Sequence, residues 1–555
     1  MTRLSSQAST SRRIGAIKSR FGCKTCKIRR VKCGEERPRC LRCSSTGRRC
    51  DFENSEALSS DAIPSYALSL SPNTGQRERR AFEYYFHHAS QHLAGGMGID
   101  FWTSIVPQVC RSEPAVWDAM IAISALFEYP NQCLDFHFLS DHRKNAYFLN
   151  NVQQDALTWY SRSISSVNSK IQRGRADPYI SLISCALFHC VETIQGRTEE
   201  ALKLYRQGVS LILDLRVQMG REGAYSEKAA LLERHIMPLF LRMGTLSLTI
   251  SGTPPPSELL VLFKIGLSAG VKCIDSARNT ISVLAAEAVL FEREAASRLR
   301  EIGSPPAISA EMIAKKETLR ALLTEWHLAY TKLGQSTSSP STEPLLLLYH
   351  AAASICVTGC LQQEETVYDV HFADFTTIVE QSTVILGAAG SNGAQTPFTF
   401  EASVGPPLAV TVLRCRDPSL RRRALELLRR APPIQGFFKC PPLALLSEAL
   451  INLEEGYSLF LRQGNPNLVH NNASLGLPVV KPQSGSQAAL IPEEARVHDY
   501  GIFRPNKRQP HWITEDHIAQ YGLGPDQLYL GFARNQFDVE TNSWRPNYQC
   551  IPLGG

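Results

Sequence analysis

The sequence predicts a mostly α-helical protein in which a small cysteine-rich module is joined by a linker to a large helical domain. Three observations support this fold class. Six of the 16 cysteines lie between residues 23 and 50. Beyond residue 76, apolar residues recur at spacings of three and four, which is the period of a helix face, and strand-like alternation is rare. Between these regions, residues 53–76 are rich in Ser, Asn, Pro and Gly, which is typical of a linker.

Positive charge is concentrated at the N-terminus. Residues 1–50 hold 15 Lys and Arg against two acids, a balance of +13, although the whole chain carries only +7. The other 505 residues hold 44 basic and 50 acidic side chains. We interpret residues 1–20 as a disordered basic arm. A short cationic block of this kind indicates a polyanionic partner.

The compartment predicted from the sequence is a reducing one. No apolar stretch at the N-terminus resembles a secretory signal. Clustered cysteines in a reducing compartment favour metal over disulfides. The apolar run Leu345–Leu361 has 17 residues without formal charge and predicts a buried core helix. We therefore expect no membrane partner.

The cysteine module, residues 21–52, contains one unit twice. The spacing is C-x2-C-x6-C-x6-C-x2-C-x6-C, so a C-x2-C-x6-C unit recurs after 17 residues. Structural zinc takes four ligands in a tetrahedron, and two separate sites would need eight. Six cysteines therefore predict two zinc ions in one cluster with two shared ligands. The metal ligands predicted here are Cys23, Cys26, Cys33, Cys40, Cys43 and Cys50.

The first C-x2-C-x6-C unit carries more positive charge than the second, with five cations against three. Between its outer cysteines it has neither Gly nor Pro, so it can form a helix lined by five cations. Such a helix is suited to the major groove of duplex DNA, where Arg and Lys read guanine. The DNA-binding residues predicted here are Lys24, Lys27, Arg29, Arg30 and Lys32. Three alternatives remain open: a disulfide framework, an iron–sulfur or purely structural zinc site, and a basic face that serves only nuclear import.

The motif F-G-C-K-T-C-K-I-R-R-V-K-C-G-E-E-R-P-R-C-L-R-C-S-S-T-G-R-R-C, residues 21–50, resembles the fungal binuclear zinc cluster DNA-binding domain. The resemblance implies that Cys23 and Cys40 are the bridging ligands. It also implies that Arg30 contacts a base and that Arg29 and Lys32 lie near the DNA backbone or a base edge. Members of this family usually bind short C-G-G-type triplets.

Helix signals recur over residues 77–462. Ala81 to Leu93 contains one apolar helix face, and Leu157 to Ile171 contains another. Asp177-Pro178 and Asp417-Pro418 each supply an N-cap and a first helical position, and Thr198 followed by two glutamates begins a further helix. The composition of residues 463–496 predicts a flexible linker. Residues 497–555 are rich in aromatic residues, and their pattern assigns no secondary structure.

The helical region also resembles a known family. The motifs include R-A-F-E-Y-Y-F-H-H at 80–88, C-A-L-F-H-C-V-E-T-I-Q-G at 185–196 and P-P-L-A-V-T-V-L-R-C-R-D-P-S-L-R-R-R-A at 406–424. They are similar to the fungal-specific transcription factor regulatory domain. The resemblance implies an all-helical regulatory region whose ligand or partner varies between members.

Several other patterns predict ordinary structure. G-L-S-A-G at 266–270 matches the nucleophile elbow of hydrolases but lacks an alternating β/α context. His88 and His92 are four residues apart, and we interpret them as surface histidines. A second basic patch consists of Arg421, Arg422, Arg423, Arg429 and Arg430. We interpret these arginines as a solvated surface.

These observations predict a nuclear, sequence-specific regulator of RNA polymerase II transcription, without enzymatic activity, of the kind that controls fungal biosynthetic gene clusters. Its expected partners are duplex DNA and the transcription machinery or a co-regulator. The linker holds no sustained heptad, so a monomer on DNA and a homodimer are both open. The alternatives are an enzyme or a nuclear scaffold that carries a zinc-cluster appendage.

Overall fold

The computed structural model describes most of the chain in two compact units, Met1–Thr74 and Gly75–Gly555. The described residues of the first unit are 23–36, 39–48 and 50. Those of the second unit are 75–95, 99–130, 149–222, 227–248, 270–299, 308–333, 342–388, 395–401, 403–463, 491–506, 509, 513–520 and 522–553.

The described residues of the first unit include two short helices, α1 (Lys24–Ile28) and α2 (Leu41–Ser44). Helices of this length are not stable alone in water. Each begins directly after a cysteine of the doubled unit, and the buried core of the module consists of cysteine side chains. The sulfur cluster therefore takes the place of a hydrophobic core.

The second unit is mainly helical. Its first group is α3 (Gln76–Tyr84), α4 (Ser90–Leu93), α5 (Val106–Val109), α6 (Pro114–Glu128), α7 (Asn151–Gln172), α8 (Pro178–Ile194), α9 (Thr198–Glu222), α10 (Glu227–Leu231) and α11 (Met237–Ser247). The second group is α12 (Ile274–Leu299), α13 (Ala310–Lys332), α14 (Thr342–Gly359), α15 (Phe372–Ala388), α16 (Gly405–Arg414), α17 (Pro418–Arg430), α18 (Cys440–Gln463) and α19 (Glu515–Gln520). π-helical turns occur at Tyr85–Ala89, Phe101–Ile105 and Leu232–Ile236, and 3-10 turns at Glu365–His371 and Glu493–Ala495.

The predicted helix starts are confirmed. Asp177 accepts hydrogen bonds from the backbone N–H groups of Tyr179 and Ile180, and Pro178 is the first residue of α8. Asp417 caps α17 in the same way. These caps satisfy N–H groups that have no partner within the helix. The predicted helix over Leu157 to Ile171 is confirmed, but its buried face is shifted: Tyr160 of the predicted face is buried and Ile171 is exposed, whereas Ala156 and Trp159 are also buried.

Helix α14 lies within a large hydrophobic core formed by the second group of helices. It packs against α12, α13, α15 and α16. Leu345, Leu346, Leu348 and Ile355 of α14 are at most 1% exposed, so the predicted core helix over this uncharged run is confirmed. None of the helices in the described part of the chain is long and apolar enough to cross a membrane.

In the part of the chain that the structure describes, six strands form two small sheets. In the first sheet, β1 (Phe398–Thr399) runs parallel to β2 (Ile434–Gln435), which pairs antiparallel with β3 (Phe438–Lys439). In the second, the order is β4 (Val497–Phe503), β5 (Tyr529–Asp538) and β6 (Ser543–Pro552), all antiparallel.

The second sheet packs on α18. The apolar side chains at this contact are Leu446, Leu450, Leu453, Val497, Leu530 and Phe532. The sequence pattern placed residues 463–496 in a flexible linker. Three residues at the end of that range are at most 6% exposed: Ile491, Glu493 and Arg496. The aromatic C-terminal segment is thus part of the second unit through this sheet.

The interpretation of the second basic patch as a solvated surface was wrong for Arg421. Its side chain is 2% exposed, donates to the carbonyl of Val412 and forms an ion pair with Glu454 of α18. Arg422 and Arg429 are on the outer side of α17 and pair with Glu455 and Glu448. Arg421 differs because its side chain lies between α16, which supplies the Val412 carbonyl, and α18, which supplies Glu454.

Candidate metal centre

Four cysteine sulfurs converge in the N-terminal unit. The Sγ atoms of Cys23 and Cys26 lie 3.7–3.8 Å from those of Cys40 and Cys43. All four sulfurs lie within 4.8 Å of one another, and all four side chains are buried. Thiolates at this density repel one another unless a cation neutralises them, and zinc takes cysteine sulfurs as ligands. The donor set therefore fits zinc.

The other two predicted ligands close the cluster, one from each half. The Sγ atom of Cys33 accepts the backbone N–H of Cys23 at 3.3 Å, and the Sγ atom of Cys50 accepts that of Cys40 at 3.2 Å. The thiols that interact with Cys33 include those of Cys23, Cys26 and Cys40. The thiols that interact with Cys50 include those of Cys23, Cys40 and Cys43. Cys23 and Cys40 thus each interact with both Cys33 and Cys50.

Burial acts against negative charge on these sulfurs. It raises the pKa of the Cys26 thiol to about 12. Burial also opposes ionisation of Cys40, but hydrogen bonds from the backbone and thiol of Cys43 outweigh it and lower the pKa of Cys40 to about 6. Without a cation, some of these groups are thiols and others thiolates. Bound zinc supplies the positive charge that allows all six to be thiolates.

The two halves of the module have the same backbone structure. The N–H of Lys27 bonds to the carbonyl of Cys23 at 3.1 Å, and the N–H of Ser44 bonds to that of Cys40 at 3.0 Å, 17 residues later. At the ends of the helices, the N–H of Val31 bonds to the carbonyl of Cys26 at 3.2 Å. The corresponding bond in the second half joins Arg48 to Cys43 at 3.0 Å. The sequence repeat is therefore a structural repeat.

Each helix ends at a residue with left-handed backbone. Arg30 has φ 55° and Gly47 has φ 62°. Two backbone hydrogen bonds surround this residue in the first half. The N–H of Arg30 donates to the carbonyl of Lys27, and the N–H of Val31 donates to the carbonyl of Cys26. Together they form a Schellman motif. The prediction that the segment between Cys23 and Cys33 can be helical is correct only as far as Ile28, because this motif stops the helix.

The predicted DNA-binding residues occupy the helix and the turn that follows it. Lys27 lies on α1, and Arg30 and Lys32 follow it; all three side chains are exposed. Arg29 is partly buried, and its Nη1 atom donates to Thr46 Oγ1 at 3.4 Å. The backbone of Lys24 begins α1, but its side chain lies outside the part that the structure describes.

Sequence reasoning missed Thr46 as a partner of Arg29. The signal was available, since Thr46 follows Arg29 by 17 residues and is its equivalent in the second half. The bond thus joins equivalent residues of the two halves. The bond holds the Arg29 side chain against the second half of the cysteine module.

The other candidate sites of the sequence gain no support. His88 and His92 are exposed, as predicted for surface histidines. The G-L-S-A-G motif at 266–270 lies outside the described residues except for its last glycine.

Residues 21–58 match the family model of the fungal Zn(2)-Cys(6) binuclear cluster domain. The aspercryptin biosynthesis cluster-specific transcription regulator of Emericella nidulans is 22% identical over 442 residues, 70% of this chain and 66% of that protein. A Zn(2)-C6 fungal-type transcription factor of Aspergillus fumigatus is 31% identical over 125 residues, 20% of this chain and 34% of that protein. Another, of Gibberella zeae, is 50% identical over 46 residues, 8% of this chain and 9% of that protein.

The chain therefore spans less than two thirds of the length of each of these relatives. No solved structure is significantly similar to it.

Proposed function

Residues 21–58 of this chain are a fungal Zn(2)-Cys(6) binuclear cluster domain, a family that binds two zinc ions, and from that premise we propose that the protein is a nuclear, sequence-specific DNA-binding regulator of RNA polymerase II transcription. The observation that carries the proposal is a doubled sulfur cluster whose first half presents exposed cations. The cluster provides rigidity and the cations provide attraction to DNA phosphates.

We assign one zinc ion to each half of the cluster. One ion takes Cys26 and Cys33, and the other takes Cys43 and Cys50. Cys23 and Cys40 would complete both sets of four, as the resemblance to the zinc cluster domain implies, and each of them interacts with both Cys33 and Cys50. When bound, the ions cross-link two helices that are too short to be stable alone.

Arg30 is the residue we assign to base recognition. Left-handed backbone disfavours a residue with a side chain, by about 1 kcal/mol relative to glycine. The second half of the repeat has Gly47 at this position, whereas the first half has an exposed arginine with φ 55°. Backbone strain at a residue with an exposed cationic side chain supports a functional role. Arginine bonds guanine through two donors, which suits short GC-rich triplets.

The neighbouring cations have supporting roles in this proposal. Lys24, Lys27 and Lys32 contact phosphates and set the position of the module on the duplex. Arg29 bonds Thr46 and so holds the two halves together beside Arg30. Phosphate contacts contribute affinity that depends on salt, whereas Arg30 contributes the preference for sequence.

We assign regulation to the helical second unit. One relative bears the name of a biosynthesis cluster-specific transcription regulator, and a similar target, a fungal biosynthetic gene cluster, is proposed for this chain. The partners in this role are duplex DNA, the transcription machinery or a co-regulator, and a second copy of the chain where the target has two half-sites.

Selection of DNA from a random duplex pool by the full-length protein tests the proposal. We expect enrichment of a GC-rich triplet, loss of that enrichment in Arg30→Ala, and retained enrichment with lower overall affinity in Arg42→Ala. Arg42 is the matched control because it is an exposed cation of the second half. Uniform loss in both variants contradicts base reading by Arg30.

A reporter assay then separates regulation from the alternatives. A gene that carries the selected sequence in its promoter should change its transcription when the protein is expressed, and the change should be lost in Cys26→Ser. DNA selection with an unchanged reporter points to a nuclear scaffold instead.

A further inference from the structure

We propose that Ile28 contacts the methyl group of a thymine beside the triplet, so that the zinc module recognises a fourth base pair. The inference rests on the proposed function, because it requires α1 to lie in the major groove of DNA. In that groove the thymine methyl is an apolar group, and apolar side chains that touch it distinguish thymine from the other bases. Ile28 is the aliphatic residue that α1 exposes.

Ile28 takes no part in the core of the module. It is the last residue of α1, and its side chain is 74% exposed. It follows Cys26 by two residues, which is a rotation of about 200° around the helix axis. Because Cys26 points into the sulfur cluster, Ile28 points away from it. Val31, the other aliphatic residue between Cys23 and Cys33, packs against the cluster instead. Packing in the described part of the module therefore accounts for Val31 but not for Ile28.

The second half of the module shows which residues the backbone needs at these positions. Residues 27–30 are Lys-Ile-Arg-Arg, and their equivalents 17 residues later, 44–47, are Ser-Ser-Thr-Gly. Ser45 is the equivalent of Ile28, and its side chain is exposed as well. The same helix end therefore forms with a small polar residue. The isoleucine, like the cations beside it, is a feature of the half that we assign to DNA recognition.

The charge around Ile28 favours DNA as the molecule that covers it. Lys27 precedes it in the chain, and Arg29 and Arg30 follow it. The side chains of Lys27 and Arg30 are exposed, and no acidic residue occurs within residues 24–32. A polyanion that also carries apolar groups complements an aliphatic side chain among cations. Duplex DNA is such a partner, through its phosphates and its thymine methyl groups.

The spacing between Ile28 and Arg30 limits which base pair Ile28 can reach. The Cα atoms of residues two apart in the chain lie at most about 7 Å from each other. Successive base pairs are about 3.4 Å apart along the duplex. When Arg30 bonds a guanine of the triplet, Ile28 is therefore within reach of a base pair one or two steps away. G·C pairs have no methyl group in the major groove, so the contact falls on an A·T pair that flanks the triplet.

Binding of the full-length protein to duplexes that contain deoxyuridine tests the proposal. Deoxyuridine lacks the methyl group of thymidine and keeps its base pairing. The duplex has one C-G-G triplet flanked on both sides by A·T pairs, in either orientation, and deoxyuridine replaces one thymidine at a time. At one position beside the triplet, we expect the replacement to weaken binding about fourfold, which is the effect of one buried methyl group.

Three variants assign this effect to a side chain. Ile28→Ala should bind the thymidine and deoxyuridine duplexes with nearly equal affinity, whereas Ile28→Val, which keeps a branched aliphatic side chain, should still distinguish them. Leu41→Ala is the matched control, because Leu41 is a 68% exposed aliphatic residue at the start of α2. It should retain the full effect of deoxyuridine. Mass spectrometry under native conditions should find the same zinc content in all three variants, because neither Ile28 nor Leu41 belongs to the sulfur core.

Three outcomes overturn the inference. They are equal binding of the two duplexes by the unmodified protein, a deoxyuridine effect that persists in Ile28→Ala, and loss of zinc from Ile28→Ala. A duplex with a scrambled triplet separates this result from the proposed function. Preference for the triplet without a methyl effect contradicts only the role of Ile28, whereas no preference for the triplet contradicts the proposed function as well.

Discussion

Arg30 and Gly47 are equivalent residues of the doubled module, and both adopt left-handed backbone, with φ values of 55° and 62°. Each ends a short helix that begins after the first cysteine of its unit. Only glycine adopts this conformation without steric cost. The first half of the module therefore has an arginine where the fold favours glycine.

Replacing Arg30 by glycine should separate stability from recognition. The module should become more stable by about 1 kcal/mol because the strain is relieved, while DNA binding should weaken by about 1–3 kcal/mol because the base contact is lost. Zinc release on heating, followed with a chromophoric indicator, reports the first quantity, and binding to the selected duplex reports the second. A less stable Arg30→Gly module contradicts the strain argument.

Gly47→Ala is the matched control in the second half. A Cβ atom added at Gly47 meets no atom within 4 Å, so its effect is confined to the backbone. We expect a loss of about 1 kcal/mol in stability and no change in the preferred DNA sequence. A changed sequence preference in this variant shows that the turn itself, rather than the arginine side chain, determines recognition.

Metal analysis of the full-length protein should find two zinc ions per chain. Cys23→Ser should reduce zinc at both sites because its sulfur is shared, whereas Cys33→Ser should reduce one site more than the other. Mass spectrometry under native conditions counts the bound ions. A ratio near one in the unmodified protein contradicts the shared-ligand assignment.

Glu454 should be among the costliest single charges to remove from the second unit. It is 1% exposed and lies between Arg416 at 2.9 Å and Arg421, and it accepts the N–H of Val497 in β4 at 2.7 Å. Glu454→Gln leaves buried Arg421 without its counter-ion and leaves buried Arg416 paired only with Glu365. We expect a loss of about 3–5 kcal/mol, measured by urea unfolding of the full chain.

Glu455→Gln is the comparison for Glu454→Gln. Glu455 pairs with Arg422, whose side chain is 36% exposed, and exposed pairs contribute about 0–1 kcal/mol. If the two variants lose similar free energies of unfolding, burial does not determine how much the Arg416–Glu454–Arg421 group stabilises the fold.

The sequence predicted features that depend on near neighbours. The cysteine spacing fixed the doubled module, and the Asp-Pro pairs located the starts of α8 and α17. It could not predict the burial of Arg421, because Glu454 follows 33 residues later and only packing brings the two together. It also could not predict the Schellman turn at Arg30, since arginine carries no signal for left-handed backbone.

The C-terminal sheet escaped prediction for a similar reason. Strand β6 contains Pro546 and Pro552 and many polar residues, so it lacks the alternation expected of a half-buried strand. Its pairing with β5 extends over ten residues from Tyr529↔Pro552 to Asp538↔Ser543. Position at the edge of the sheet explains why a proline is tolerated there.

His189 should make the stability of the second unit depend on pH. Its side chain is 1% exposed, its ring packs 4.8 Å from that of Phe437, and its Nε2 atom has no hydrogen-bond partner among the described residues. Burial lowers the pKa of His189 to about 3. The unfolded chain, in which the pKa is about 6.5, therefore binds more protons than the folded chain between pH 3 and 6.5.

The free energy of unfolding should accordingly rise with pH across this window, and His189 should contribute a slope of up to about 1.4 kcal/mol per pH unit. His189→Gln should flatten the dependence by that amount, whatever its effect on stability at neutral pH. His87→Gln, at an exposed position of the first π-helical turn, should leave the slope unchanged. Urea unfolding from pH 4.5 to 7.5 gives the slopes, and equal slopes in the original protein and His189→Gln contradict a neutral, buried histidine at this position.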